Sequence, residues 1–259
     1  MTATTFLAVC AGILGLAVGW FVNVVAWRVP RKEAIVRLPS HCPTCGGTVR
    51  AKDNVPIVSW LVLRGRCRHC GGRISVRYPL IELATAVAFV ACTIRFGATP
   101  VLGSFLVLAA GGIALSVTDL ERRLLPIRIV YPTLVLALPP LLVAAAVHGS
   151  YVELERAAIG GASAAGLYFL IHFAYPRGMA FGDVRLAGLL GTYVGSLGLL
   201  QLFVANFLAF ASSALFGLIL IALRRAGLKT ALPFGPFMVA GAFVAVLFGG
   251  RIVDAWMGR

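Results

Sequence analysis

The sequence predicts an all-α polytopic membrane protein with about eight transmembrane helices and a small zinc-binding loop domain in the cytoplasm. Three observations support this fold class. Only 12% of the 259 residues are charged, whereas ordinary soluble domains carry about 25%. Apolar runs of about 17–25 residues, long enough to cross a bilayer core, recur along the chain. One hydrophilic stretch near the N-terminus holds four of the six cysteines and many of the basic residues.

Eight apolar runs account for the predicted helices. Several contain Gly and Ala at spacings that favour close packing of membrane helices. The first run has no basic residue before it and is followed by arginines, so we expect a retained helix and not a cleaved signal peptide. Only "GSLG" interrupts the stretch 184–223, which we divide into two helices. The runs are residues 6–26, 80–97, 101–118, 129–147, 157–175, 184–200, 202–223 and 234–250.

The formal charge of +14 is typical of nucleic-acid-binding proteins, but its distribution indicates a membrane topology instead. Residues 28–78 hold 11 of the 23 Lys and Arg, and the positive-inside rule places such a loop in the cytoplasm. Alternating eight helices from there puts 19 basic residues inside and 4 outside, with both termini outside. We therefore expect the lipid bilayer, and no nucleic acid, as a partner. The later inside residues are Arg122, Arg123, Arg128, Arg177, Arg185, Arg224, Arg225 and Lys229, and the outside ones are Arg95, Arg156, Arg251 and Arg259.

The hydrophilic loop contains two Cys-x2-Cys pairs, in "HCPTCGG" and "CRHCGG". Two such pairs about 20 residues apart are a strong zinc signal. Four thiolates complete a closed tetrahedral site, which is structural and not catalytic. Two disulfides, an iron or redox centre, and no metal at all are the alternatives; a reducing cytoplasm disfavours the disulfides. The predicted ligands are Cys42, Cys45, Cys67 and Cys70, and we interpret His41 and His69 as solvated neighbours.

Two aspartates stand where apolar runs meet the predicted cytoplasmic side, Asp119 in "SVTDLERR" and Asp183 in "AFGDVRL". Two carboxyl groups that face each other in a partly dry site cannot easily both ionise, so one holds a proton while the other is a base. Such a pair can activate water for attack on a peptide carbonyl. Alternatively, each aspartate caps a helix or pairs with a nearby arginine, or the two form a proton path in a transporter. Gly182 would let a substrate strand approach Asp183 closely.

These motifs together resemble the type IV prepilin peptidases, membrane aspartic proteases of the GxGD type. The four-cysteine loop, "TDLERRLLP", "FGDVRL" and "LPFGPFMVAG" carry the resemblance over nearly the whole chain. It implies that Asp119 and Asp183 are the catalytic pair. It also implies cleavage of basic leader peptides from pilin or pseudopilin precursors at the cytoplasmic face of the bacterial inner membrane, as in type IV pilus and type II secretion systems.

For family members that carry the long loop, the resemblance further implies N-methylation of the new N-terminus with S-adenosyl-L-methionine. It divides the chain into a first transmembrane helix (1–27), a four-cysteine loop that is the candidate methyltransferase region (28–78), and a seven-helix peptidase domain (79–259). Glu82 is a candidate for cofactor binding, or an interfacial acid paired with Arg77. The candidate substrate-binding residues are Gly182, Pro233, Phe234, Gly235, Pro236 and Phe237.

The sequence departs from the family pattern at a few positions. Ala180 replaces the first glycine of GxGD, and Ile127 stands where a second aspartate is common in the first motif. Neither change removes a carboxyl group that the chemistry needs. Three other functions stay open at this point: a peptidase without methyltransferase activity, an ion-coupled transporter, and a scaffold whose zinc loop docks assembly proteins.

Overall fold

The computed structural model describes residues 3–35, 40–42, 44–176, 178–225, 227, 230 and 232–258. Of the basic residues used for the topology prediction, Arg37, Arg177, Lys229 and Arg259 lie outside the described residues. The described chain is helical, without strands, which confirms the predicted fold class. Its α-helices are α1 Ala3–Arg28, α2 Val58–Val62, α3 Arg77–Phe96, α4 Val101–Arg122, α5 Ile127–His148, α6 Val152–Ala174, α7 Phe181–Leu197, α8 Leu199–Ala222 and α9 Gly235–Trp256.

One long helix corresponds to each of the eight predicted runs. Seven of them, α1, α3, α4, α5, α6, α8 and α9, are long and apolar enough to cross a membrane. The remaining one, α7, has 17 residues, or about 26 Å at 1.5 Å per residue. Several helices extend beyond the apolar runs: α6 begins with a turn that includes Glu153 and Glu155, since acids are favourable near a helix N-terminus.

The outer faces of the long helices are apolar, as a lipid environment requires. Large side chains such as Phe6, Leu170, Phe173 and Leu218 are each at least 60% exposed. Soluble monomers rarely expose contiguous apolar patches larger than a few hundred Å². We conclude that the chain is a multi-pass membrane protein.

The chain divides into two compact units, Met1–Ala98 and Thr99–Arg259. In the first unit, α1 and α3 pack antiparallel along a seam of glycines. A Cβ added at Gly15 would lie 2.6 Å from the Cα of Ala86, and one at Gly19 would lie 2.6 Å from the Cα of Glu82. The loop between these helices carries the four cysteines. The predicted divisions at 27/28 and 78/79 concern function and stay a prediction.

In the second unit, consecutive helices α4 to α9 pack largely as antiparallel pairs. The pair α6 and α7 is in backbone contact, because a Cβ at Gly160 would lie 2.5 Å from the carbonyl oxygen of Gly191. Helices α7 and α8 are separated by Gly198 alone, whose φ of 156° is one that other residues rarely adopt. The prediction of two helices within 184–223 is therefore confirmed.

Candidate active site and metal centre

The four cysteines of the first unit converge on one point. Their sulfur atoms all lie within 4.8 Å of one another, and the Sγ atoms of Cys42 and Cys70 are 3.9 Å apart. A tetrahedral zinc ion with Zn–S bonds of about 2.3 Å needs sulfur atoms about 3.8 Å apart. The donor set and its spacing therefore fit a metal ion such as zinc.

Each Cys-x2-Cys pair forms the same small turn. The amide of Cys42 donates to the carbonyl of Gly47 at 2.8 Å, and the amide of Cys67 donates to Gly72 at 2.8 Å. The first glycine after each pair, Gly46 or Gly71, has a φ of 69°, where glycine is favoured. A Cβ at the second glycine would lie 3.2–3.4 Å from a cysteine sulfur. The Gly-Gly sequences thus let the backbone pack close behind the thiols.

The electrostatics of the cluster favour thiolate at one ligand. Backbone hydrogen bonds from Cys45 and Thr44 lower the pKa of the Cys42 thiol to about 6. All six cysteines of the chain are described and none forms a disulfide, so the structure does not favour the disulfide alternative. Metal ligation requires thiolates, and this site supplies a first one near neutral pH.

In the second unit, Asp119 lies in the last turn of α4 and is 6% exposed. Its Oδ2 accepts a hydrogen bond of 2.8 Å from the backbone amide of Gly235, 116 residues later in the chain. Helix α4 ends one turn later, where the C-cap residue Arg123 adopts the left-handed conformation and its amide donates to the Asp119 carbonyl at 2.8 Å. The Asp119 carboxyl group is therefore oriented by the start of α9.

Asp183 lies in the first turn of α7 and is 7% exposed. Its Oδ2 accepts a hydrogen bond of 3.0 Å from the backbone amide of Ala180, the N-cap residue. This is the carboxylate half of a capping box, so the helix-capping alternative describes part of what Asp183 does. The predicted run began at residue 184; the helix begins earlier because this hydrogen bond accommodates the acid inside it.

The two carboxyl groups belong to one cluster, because the side chain of Leu125 packs against both Gly182, which directly precedes Asp183, and Gly235, whose amide holds Asp119. The ring of His172 contacts Phe181 in the first turn of α7, with centroids 5.6 Å apart. The Nδ1 atom of His172 donates to the carbonyl of Met179 at 2.7 Å, which ties α6 to the segment before Asp183. The structure thus brings together the two aspartates that the sequence singles out.

The Pro-Phe-Gly-Pro-Phe segment forms the start of α9 and lies against Asp119. Phe234 is the N-cap residue and Pro236 occupies the first turn. A Cβ at Gly235 would lie 2.9 Å from Oδ2 of Asp119, so this position has no room for a side chain. The ring of Phe237 contacts Phe216, with centroids 5.5 Å apart. A substrate-binding role for Pro233 to Phe237 stays a prediction.

Leu125 was not anticipated from the sequence, although it contacts both halves of the site. Its side chain would lie 3.1 Å from a Cβ at Gly182 and 3.3 Å from one at Gly235. Gly182 therefore has a packing reason to be glycine, alongside its predicted role in substrate approach. A leucine in a hydrophobic stretch gives no signal from which this contact could be found.

Glu82, the candidate cofactor residue, lies in α3 of the first unit and is 6% exposed. Its Oε2 accepts a hydrogen bond of 2.7 Å from the amide of Ile57. Ile57 has a φ of 57°, a costly conformation for a β-branched residue. The guanidinium of Arg77, the predicted ion-pair partner, stacks over Tyr78 at 5.6 Å. Glu82 thus anchors the loop that leads to the second cysteine pair.

Comparisons with known proteins identify the family. Residues 13–96 match the bacterial Peptidase A24 N-terminal domain, and residues 106–222 match the type IV leader peptidase family. A Pseudomonas putida protein named prepilin leader peptidase/N-methyltransferase is 36% identical, over 97% of this chain and 96% of that protein. This chain belongs to the type IV leader peptidase family. The resemblance predicted from the sequence motifs is confirmed.

Other relatives of this leader peptidase chain match with similar coverage. A Bacillus subtilis protein with the same name is 34% identical, over 95% of this chain and 96% of its own length. An Escherichia coli protein named type 4 prepilin-like proteins leader peptide-processing enzyme is 33% identical, over 92% and 93%. No solved structure gives a significant match to the chain.

Proposed function

We propose that this protein is a prepilin leader peptidase and N-methyltransferase in which Asp119 and Asp183 are the catalytic pair. The observation that carries the proposal is the convergence of two buried carboxyl groups, from the end of α4 and the start of α7, in a member of the leader peptidase family. The substrates are precursors of type IV pilins and pseudopilins. The transporter and scaffold alternatives have no comparable support.

The geometry fits hydrolysis by a pair of carboxyl groups that shares one proton. The ionised aspartate takes a proton from water as the water oxygen attacks the scissile carbonyl carbon, and the protonated aspartate gives its proton to the carbonyl oxygen. In the second step the carbon–nitrogen bond breaks. The departing amine takes a proton from the first aspartate, and a hydroxyl of the intermediate returns one to the second. Both carboxyl groups end as they began.

Backbone amides support this role by fixing one oxygen of each carboxyl group. Gly235 donates to Oδ2 of Asp119, and Ala180 donates to Oδ2 of Asp183. The Oδ1 atoms then remain for water and substrate. Because these donors are main-chain groups, they hold the orientation of each carboxyl group whichever of the two carries the proton.

The second activity is methylation of the amine that cleavage exposes. S-adenosyl-L-methionine, when bound, would supply the methyl group for this amine. Glu82 is our candidate for binding the donor, since it is a buried acid of α3 whose carboxyl group contacts the cysteine loop at the Ile57 amide. We propose that the four cysteines hold zinc as a structural ion and so fold this loop.

The proposed location is the bacterial inner membrane, with the cysteine loop and both aspartates on the cytoplasmic side and both termini outside. The excess of Lys and Arg in the corresponding loops supports this sidedness. A reporter enzyme that is active only outside the cytoplasm should be active when it is fused at residue 150 or at the C-terminus. Activity of a cytoplasm-dependent reporter at either position would overturn the topology.

Cleavage of purified prepilin by wild type, Asp119→Asn and Asp183→Asn in liposomes tests the catalytic pair. We expect wild type to cleave and both variants to lose cleavage. Methylation of pilin from which the leader has already been removed provides the folding control, and it should persist in both variants. A variant that methylates normally and still cleaves at a near wild-type rate would show that its aspartate is not catalytic.

A further inference from the structure

One buried hydroxyl group near the aspartate pair has no hydrogen-bond partner. Tyr168 of α6 is fully buried, at 0% exposed, and its hydroxyl has no hydrogen-bond partner among the described residues. Burying such a group unpaired is energetically costly, because it loses its hydrogen bonds to water without replacement. Native structures pair most buried polar side chains, so each exception calls for a reason.

A second buried tyrosine in the same unit shows the usual arrangement. Tyr193 of α7 is also 0% exposed, and its hydroxyl donates to the carbonyl of Leu134, 59 residues away. The two tyrosines share chemistry and burial and differ in whether the hydroxyl has a partner. Burial of a tyrosine in this unit therefore does not by itself leave the hydroxyl unpaired, and the missing partner is specific to Tyr168.

Tyr168 lies between the elements that carry the two aspartates. On one side Tyr168 lines a small cavity together with Ala187, which lies one turn after Asp183 in α7. On the other side its ring contacts Phe234, with centroids 6.2 Å apart, and Phe234 directly precedes the Gly235 amide that holds Asp119. Phe210 completes the aromatic cluster, 5.6 Å from Tyr168 and 5.2 Å from Phe234. Packing of this kind fixes the position of the phenol ring relative to the site.

We propose that the Tyr168 hydroxyl is a further catalytic group of the peptidase, which donates a hydrogen bond to the scissile carbonyl oxygen once prepilin binding has displaced the side chains that cover it. The inference rests on the proposed function, since it needs the peptide at the aspartate pair. An unpartnered donor held rigidly in a dry site costs no reorganisation when charge develops on that oxygen. The bound peptide then supplies the hydrogen-bond partner that the hydroxyl lacks in the free enzyme.

The simpler alternative is that Tyr168 is a core residue. A cavity of about 10 Å³ lies beside it, lined also by Asn206, Ala209 and Met238, and one water needs roughly that volume. A water there would satisfy the hydroxyl without any role in catalysis. The two interpretations predict different kinetics for removal of the oxygen atom alone.

The test compares Tyr168→Phe with the matched control Tyr193→Phe, by measuring kcat and KM for prepilin cleavage. For Tyr168→Phe we expect kcat to fall about 10- to 100-fold, as for loss of one donor to a developing oxyanion, while KM stays nearly constant. Methylation of pre-cleaved pilin and thermal stability should not fall. For Tyr193→Phe we expect the opposite: lower thermal stability with kcat close to wild type.

Binding of a transition-state analogue gives a second measurement that a packing role would not change. A peptide whose scissile amide is replaced by a hydroxyl-bearing carbon should bind Tyr168→Phe about tenfold or more weakly than wild type. Unchanged kcat and unchanged analogue binding in a stable Tyr168→Phe variant would overturn the inference and leave the core interpretation. If wild type does not cleave prepilin, the proposed function fails and this inference fails with it.

Discussion

In the four-cysteine cluster, every sulfur atom comes from one segment between Cys42 and Cys70, and two similar turns place them. In the aspartate pair, the carboxyl groups come from two separate helices, and one of them is held by an amide 116 residues away. The cysteine cluster thus depends on local backbone geometry, whereas the aspartate site depends on how distant helices pack. The two sites should respond differently to mutation.

The largest effect should come from breaking the local site. Cys67→Ser removes one of four ligands, and structural zinc sites contribute about 10–16 kcal/mol of apparent binding free energy at neutral pH. We expect loss of the metal ion and rapid proteolysis of the loop. Metal content of the purified protein and limited proteolysis measure this, with Cys10→Ser as the control because Cys10 lies outside the cluster. A Cys67→Ser protein with a full metal complement would contradict the four-ligand assignment.

The next effect should come from the long-range contact at Asp119. Gly235→Ala places a methyl group 2.9 Å from Oδ2 of Asp119, which must displace the carboxyl group. Misplacement of a catalytic group by about 1 Å can cost about 100-fold in rate, so we expect a large loss of kcat for prepilin cleavage. Gly250→Ala in the same helix is the control, since a Cβ there has nothing within 4 Å. Equal rates for the two variants would mean that the Gly235 contact does not position Asp119.

Packing farther from the aspartates should matter for stability more than for chemistry. Gly191→Ala brings a Cβ 2.5 Å from the carbonyl oxygen of Gly160, and overpacking of this kind costs about 1–3 kcal/mol. We expect a lower unfolding temperature in detergent. Gly166→Ala, in α6 with nothing within 4 Å of the added Cβ, should be neutral or slightly stabilising. A Gly191→Ala protein as stable as Gly166→Ala would show that the helices can move apart without cost.

The smallest effect should come from an ion pair in the loop. Arg68 donates to Asp53 at 2.7–3.0 Å and holds the pKa of that carboxyl group below its usual range. The pair therefore stabilises the loop at neutral pH, and this contribution is lost as the pH falls through the lowered pKa.

Asp53→Asn should shorten the proteolytic half-life of the loop only slightly at pH 7, and high salt should reduce the difference from wild type. Metal content should stay that of wild type. Loss of metal from Asp53→Asn would show that the ion pair, and not only the thiols, holds the site together.

The sequence was most informative where structure is local. Each apolar run became a helix, because a single segment in a bilayer core can satisfy its backbone hydrogen bonds only as a helix. The spacing of the cysteines and the glycines after them predicted the convergence of the sulfur atoms, since each turn is set by a few adjacent residues. Asp119 and Asp183 could be selected because acids beside apolar runs are rare.

Contacts between distant segments could not be predicted in the same way. Three features depend on the packing of several helices: the hydrogen bond from Gly235 to Asp119, the contacts of Leu125 with Gly182 and Gly235, and the unpaired hydroxyl of Tyr168. An aromatic residue in an apolar helix is common, and no spacing marks Tyr168 as different from its neighbours. The start of α7 also differed from the predicted residue 184. The hydrogen bond from the Ala180 amide to the Asp183 carboxyl group, which allows the acid inside the first turn, has no signature in the sequence.

The glycine seam between α6 and α7 has a consequence for the precision of the active site. With the two backbones in direct contact at Gly160 and Gly191, the helices cannot slide past each other by small amounts. A slip would have to be a whole turn, about 5.4 Å, and it would carry Tyr168 on one helix that far from Asp183 on the other. An assembled α6–α7 hairpin therefore holds Tyr168 and Asp183 either in the observed register or about one helical turn apart.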